Sequence, residues 1–169
     1  MQGFHLYIER KVNAEDLKKS MREIFPGLNF FKWTLNENII DGRRDRELHD
    51  KDILFEISNI PGIFKTLIIF YRFPGEEASS RLDLYIGGKL SKQFDCKVTI
   101  DGYSYCNFDQ MPDYSLLLEN GKAYLIGDCY PDPAWHEDDP RIKTLSINIL
   151  EEIEVSMYQE NYDSEAIQQ

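Results

Sequence analysis

Residues 115–126 read SLLLENGKAYLI. Two apolar runs flank Asn120-Gly121, the pair favoured in a two-residue type I′ turn, because both of its central residues need positive φ. This is a β-hairpin, and it makes antiparallel pairing the starting point for the rest of the chain.

The segments on either side supply more strands and two helices. Upstream, Cys96, Val98 and Ile100 alternate in a short strand that ends at Asp101-Gly102. Before it, Leu82, Tyr85, Ile86, Leu90 and Phe94 recur at helical spacing, with Ser80-x-x-Asp83 in the form of a capping box. Gly87-Gly88 costs about 1 kcal/mol per glycine in such a helix, which close packing against a sheet would explain. Residues 63–71, IFKTLIIFY, are apolar on both faces, as in a central strand covered on each side. Ile53, Phe55 and Ile57 alternate in another strand, and Phe31, Trp33 and Leu35 share one face of an earlier one.

Phe4, Leu6 and Ile8 mark the first strand. It is followed by a helical stripe of Ala14, Leu17, Met21, Ile24 and Phe25. Asn13 caps that helix, Glu15 and Asp16 suit its first turn, and Pro26-Gly27 ends it. Downstream of the hairpin, Ile142, Leu145, Ile147 and Ile149 predict a last strand, which either continues through Ile153, Val155 and Met157 or gives way to a short helix. The order is β-α-β-β-β-α-β-β-β-β. It predicts an α+β fold: a mixed, mostly antiparallel sheet with two helices packed on one face. Residues 1–169 are expected to form a single domain, with 163–169 a frayed tail.

Charge divides the chain. Residues 1–94 hold 15 Lys/Arg and 14 Asp/Glu, whereas residues 95–169 hold 4 and 16, so the net charge of −11 comes from the second half. Such a field suits a basic partner and disfavours a nucleic-acid backbone. The basic residues Arg43, Arg44, Arg46 and Lys51 are interleaved with Asp41, Asp45, Glu47, Asp50 and Asp52 in a solvated loop, so they form no basic patch.

Residues 127–140, GDCYPDPAWHEDDP, combine five acids, three prolines, Tyr130 and Trp135, and contain no Lys or Arg. Prolines reduce the entropy lost on ordering the loop, and Tyr and Trp are common interface anchors. Asp128, Tyr130, Asp132, Trp135, His136, Glu137, Asp138 and Asp139 are therefore the candidate partner-binding residues, with Glu151 and Glu152 beside them. The structural alternative is a solvated loop with Trp135 tucked into the core. As metal ligands, Asp128, Asp132, His136, Glu137 and Asp138 match neither EF-hand spacing nor H-E-x-x-H.

No catalytic motif accompanies these features. His5, His49 and His136 are far apart, G-x-S-x-G is missing, and Gly87-Gly88 lacks the G-K-[ST] of a phosphate loop. Cys96, Cys106 and Cys129 form no C-x-x-C pair and are expected to be reduced thiols, mostly small buried hydrophobes. The first residues, MQGFHLYIER, lack the apolar core of a signal peptide, and no apolar run approaches the roughly 20 residues of a membrane span. A cytoplasmic protein without a cofactor is the expectation, with its oligomeric state open.

The passage YIGGKLSKQFDCKVTIDG, residues 85–102, resembles a helix-then-strand pattern in bacterial immunity proteins, the antidotes to polymorphic toxins and contact-dependent growth inhibition toxins. The resemblance covers about a tenth of the chain and carries over no functional residue. It implies a stoichiometric inhibitor whose partner is a basic toxin domain, with a nuclease as one such target, rather than an enzyme. Two other functions fit the composition: a small-molecule enzyme with an unrecognised site, and a dimeric accessory or ligand-binding domain.

Overall fold

A computed structural model of the protein describes residues 3–73, 82–101 and 114–154. Its strands are β1 (Phe4–Ile8), β2 (Asn29–Thr34), β3 (Ile39–Ile40), β4 (Asp52–Asn59), β5 (Thr66–Tyr71), β6 (Val98–Asp101), β7 (Ser115–Glu119), β8 (Lys122–Ile126) and β9 (Ile149–Ile153). Helix α1 spans Ala14–Ile24 and α2 spans Leu82–Phe94. The strands form one sheet in the order β3-β2-β4-β5-β1-β6-β7-β8-β9. Every neighbouring pair is antiparallel except β2–β4, which makes this the mixed α+β sheet expected from the pattern.

Local chemistry accounts for the elements. Asn13 Oδ1 accepts the Asp16 amide at 2.9 Å, satisfying one of the free donors at the start of α1. The chain leaves α1 through Phe25, whose N–H donates to Met21 O at 2.8 Å. In the β7–β8 hairpin, Glu119 pairs with Lys122 across Asn120 (φ 52°) and Gly121 (φ 78°), the two positive values a type I′ turn needs.

One face of the sheet lies under both helices. Leu6, Ile8, Phe55, Ile68, Phe70, Val98, Ile100, Leu116, Leu118 and Leu125 point there and meet Leu17 and Met21 of α1 and Leu84, Ile86 and Leu90 of α2. Gly87 fits this contact by lacking a side chain. A Cβ at Gly87 would sit 2.7 Å from Leu118 Cδ1 and 3.1 Å from Ile100 Cγ2. The helix accepts a glycine there because it sets how closely α2 can approach the sheet.

Three expectations change. The segment from Ile142 does not begin the last strand: Pro140–Thr144 is a 3₁₀ turn, and β9 starts at Ile149. Asp139 accepts the Arg141 amide at 2.9 Å, and Pro140 stands at the first helical position, so a turn-start signal outweighs the apolar residues behind it. Ile142 and Leu145 are three apart, which is the spacing of a turn rather than a strand.

In β2 it is Phe30 that reaches the main core. Phe31 and Trp33 lie half-buried, and Leu35 falls in a separate 3₁₀ turn, 50% exposed. The strand predicted over 63–71 begins at Thr66. Before it, Gly62 (φ 105°) turns the chain and Ile60 N–H bonds Lys65 O at 3.0 Å, which folds Phe64 inward from a loop. Ser80, Cys106 and the tail from Val155, including 163–169, lie outside the described residues.

Candidate functional site

No α-helix among the described residues lies on the second face of the sheet. A smaller apolar cluster gathers there instead, of Phe64, Leu117, Ile126 and Cys129, edged by Tyr7, Ile60, Ile63, Tyr124, Tyr130 and Ile147. Its cover comes from the loop after β4 and from residues 127–148, the acidic loop 127–140 and the turn that follows it. That segment leaves and rejoins the sheet at one place, because Gly127 N–H donates to Asn148 O at 3.3 Å.

Tyr130 fixes the loop to the sheet. Its ring stacks 4.3 Å from Tyr7 and 5.8 Å from Phe64, measured between centroids. Its hydroxyl shares a hydrogen bond with Thr99 Oγ1 and donates to Ser115 Oγ at 3.2 Å. Burial pushes this phenol well above its ordinary range, although Ser115 and Thr99 pull the other way. Pro131 packs beside Gly62, where an added Cβ would lie 3.1 Å from Pro131 Cγ. Cys129 is buried next to Tyr130, and burial followed by the nearby Asp128 charge raises its thiol to about 11, which leaves it un-ionised and unreactive at neutral pH. Burial likewise raises the half-buried Cys96.

Three of the candidate acids shape the loop. Asp128 Oδ1 accepts the Tyr130 amide at 3.1 Å and Asp132 Oδ1 the Ala134 amide at 2.8 Å, each an Asx turn. Asp139 takes the Arg141 amide and, at 2.9 and 2.6 Å, its Nε and Nη2. These Arg141 donors hold the Asp139 carboxyl down at about 2. The same guanidinium lies 4.3 Å from the Trp135 ring centroid, so the half-buried indole is clamped by a cation instead of entering the core. His136, Glu137 and Asp138 follow, exposed, within the turn His136–Asp139 that succeeds the turn at Asp132–Trp135.

The eight candidate residues thus divide by role. Tyr130 faces inward; Asp128, Asp132 and Asp139 brace the turns; Trp135 is half-covered; and His136, Glu137 and Asp138 face solvent. Glu151, Glu152 and Glu154 continue the exposed acidic run on and after β9. Arg141, whose signal in the sequence is its place two residues after Asp139, and the exposed Ile149 and Leu150 of β9 stand outside the candidate set.

Elsewhere, a cleft of about 400 Å³ opens between the start of α1 and the end of β4, lined by Lys11, Asn13, Lys32, Ser58 and Asn59 among others. Its lining includes no carboxylate, histidine or thiol. Among the described residues, no three His, Cys, Asp or Glu side chains converge as a metal cage, and no helix is long and apolar enough to cross a membrane. His5 is exposed on β1 and His49 on the charged loop, whose Arg46 sits 3.6 Å over the Phe31 ring. No protein family, curated protein or solved structure was found to match the chain.

Proposed function

We propose that this protein is a cytoplasmic immunity protein, a stoichiometric inhibitor that neutralises a basic toxin domain through its acidic loop and the neighbouring strand β9. The observation that carries the reading is a rigidly mounted anionic surface. Glu137 and Asp138 stand exposed on a loop pinned at its base by Gly127 and Asn148 and underneath by Tyr130. A fixed loop loses little entropy on docking, and its charge speeds encounter with a cationic cleft such as a nuclease uses for its substrate. In this reading Tyr130 holds the surface in shape, while Trp135, His136, Glu137 and Asp138 meet the partner.

An enzymatic reading has less to draw on. The cleft at Lys11 and Lys32 has no general base of the usual kind, and Cys129 is sealed under the loop. The test is to express the protein with the C-terminal domain of a large secreted protein encoded next to it. The expected result is a one-to-one complex that abolishes toxicity and weakens with salt. Glu137→Lys combined with Asp138→Lys should weaken that complex by at least about tenfold, or about 1.4 kcal/mol. Failure to protect cells from such a domain overturns the reading.

A further inference from the structure

We propose that β9 is an open sheet edge that receives a basic extended strand from the inhibited partner; the identity of that partner rests on the reading above. The two ends of the sheet are built differently. At the β3 end the strand is two residues long, and Ile40 and Arg43 exchange backbone hydrogen bonds of 2.9 and 3.0 Å that fold the edge into a turn. At the other end β9 runs five residues and, among the described residues, pairs only with β8. The pairing with β8 slips by one residue between Leu125 and Ile126, so the regular stretch Glu151–Ile153 is the template it offers another strand.

The side chains select the strand. Ile149 and Leu150 are 53% and 48% exposed, two of the three exposed large apolar residues among those described, with Leu35 the third. Glu151, Glu152 and Glu154 follow, and of these only Glu152 forms an ion pair among the described residues, with Lys122 at 3.2 Å. A second copy of β9 laid antiparallel about the Glu151–Glu152 pair would set glutamate opposite glutamate, which destabilises a sheet pair. A strand alternating Lys or Arg with apolar residues would instead set its cations on the face of Glu151 and its apolar residues on the opposite face, with Leu150 and the Glu152 already paired to Lys122. The bond from Gly127 to Asn148 brings both ends of the acidic loop to the start of β9, so the steering surface and the pairing edge are continuous.

The experiment uses the full chain and three synthetic strands: alternating lysine and valine, the same peptide N-methylated along one backbone edge, and alternating glutamate and valine. Fluorescence anisotropy reads affinity, and amide hydrogen exchange reads protection of 149–153. The lysine strand should bind and protect β9, and the other two should bind at least about tenfold more weakly. Glu151→Lys, at an exposed position, should weaken the lysine strand to a similar degree. Equal binding of the N-methylated strand would mean charge alone and would overturn the proposal, as would unprotected β9 amides. A toxin domain neutralised equally well by the Glu151→Lys protein overturns edge pairing while leaving the inhibitor reading intact. Edge pairing without any neutralised toxin domain does the reverse.

Discussion

Tyr130 lies against Tyr7 with ring centroids 4.3 Å apart, which joins the acidic loop to the central strand of the sheet. The loop's shape therefore depends on the folded core, and its Thr99 and Ser115 partners come from two further strands. Tyr130→Phe should keep the stacking and leave the Thr99 and Ser115 hydroxyls without this partner, costing about 1–3 kcal/mol. Tyr130→Ala should cost about 3–5 kcal/mol by opening a cavity. Urea denaturation would show a lower midpoint with an unchanged slope for Tyr130→Phe.

Gly87→Ala tests the approach of α2 to the sheet. On an isolated helix, alanine would add about 1 kcal/mol of stability. Here its methyl meets Leu118 at 2.7 Å, so the expected result is a net loss of about 1–3 kcal/mol. Thermal unfolding should show Gly87→Ala with Leu118→Val recovering part of the loss.

Lys18 is a nearly buried cation on α1, held by both oxygens of Asp41 at 2.9 and 2.8 Å. Asp41→Asn tolerates the left-handed backbone at this site (φ 46°) but removes the charge facing the ammonium. A loss of about 2 kcal/mol is expected, because a desolvated charge then keeps only the exposed Glu15, at 3.1 Å, as counter-ion. Lys18→Met should cost less, since the Asp41 side chain retains some solvent. Adding Lys18→Met to Asp41→Asn should restore stability, and a double-mutant cycle by chemical denaturation measures the coupling.

Acid should loosen the loop turn and the start of β4 together. Asp139 is lowered to about 2 by its Arg141 donors. Asp52 is pushed up by burial but pulled further down by the His49 amide and Asn29, with help from the His49 and Arg46 charges. Both carboxyls ionise more readily folded than unfolded. Their stabilisation is therefore present above about pH 4 and is lost as pH falls toward 2. Trp135 fluorescence followed from pH 6 to pH 2 should show the loss, with a smaller Asp139-dependent change in Asp139→Asn.

Alkali should act through Tyr71. Burial, then its hydrogen bond to Glu56, raises this phenol to about 12. The folded state favours the protonated form, so this stabilisation is complete below about pH 10 and disappears as pH rises through 12. Ultraviolet titration of tyrosinate should find Tyr71 and Tyr130 ionising late, and Glu56→Gln should move only the Tyr71 step earlier.

Local chemistry made most of the fold legible. Asn13 announced α1, Asn120-Gly121 announced the hairpin, and alternation marked Leu6, Ile8, Val98 and Ile100 as one face. Where the reading failed, two local signals competed. Asp139-Pro140 started a turn that the apolar residues behind it concealed, and Phe30 and Phe31 left either parity open for β2. The site was legible as composition. The inward turn of Tyr130 was not, because its partners Tyr7, Thr99 and Ser115 lie 123, 31 and 15 residues away in sequence.

The amino-acid order alone determined which segments extend, which coil and where the negative charge accumulates, since these follow from spacing and side-chain type. Only the tertiary structure decided which carboxylates brace turns and which face solvent, and that β9 closes the described sheet with one side unpaired. Those outcomes depend on contacts between distant segments, which exist only once the sheet has brought its strands together.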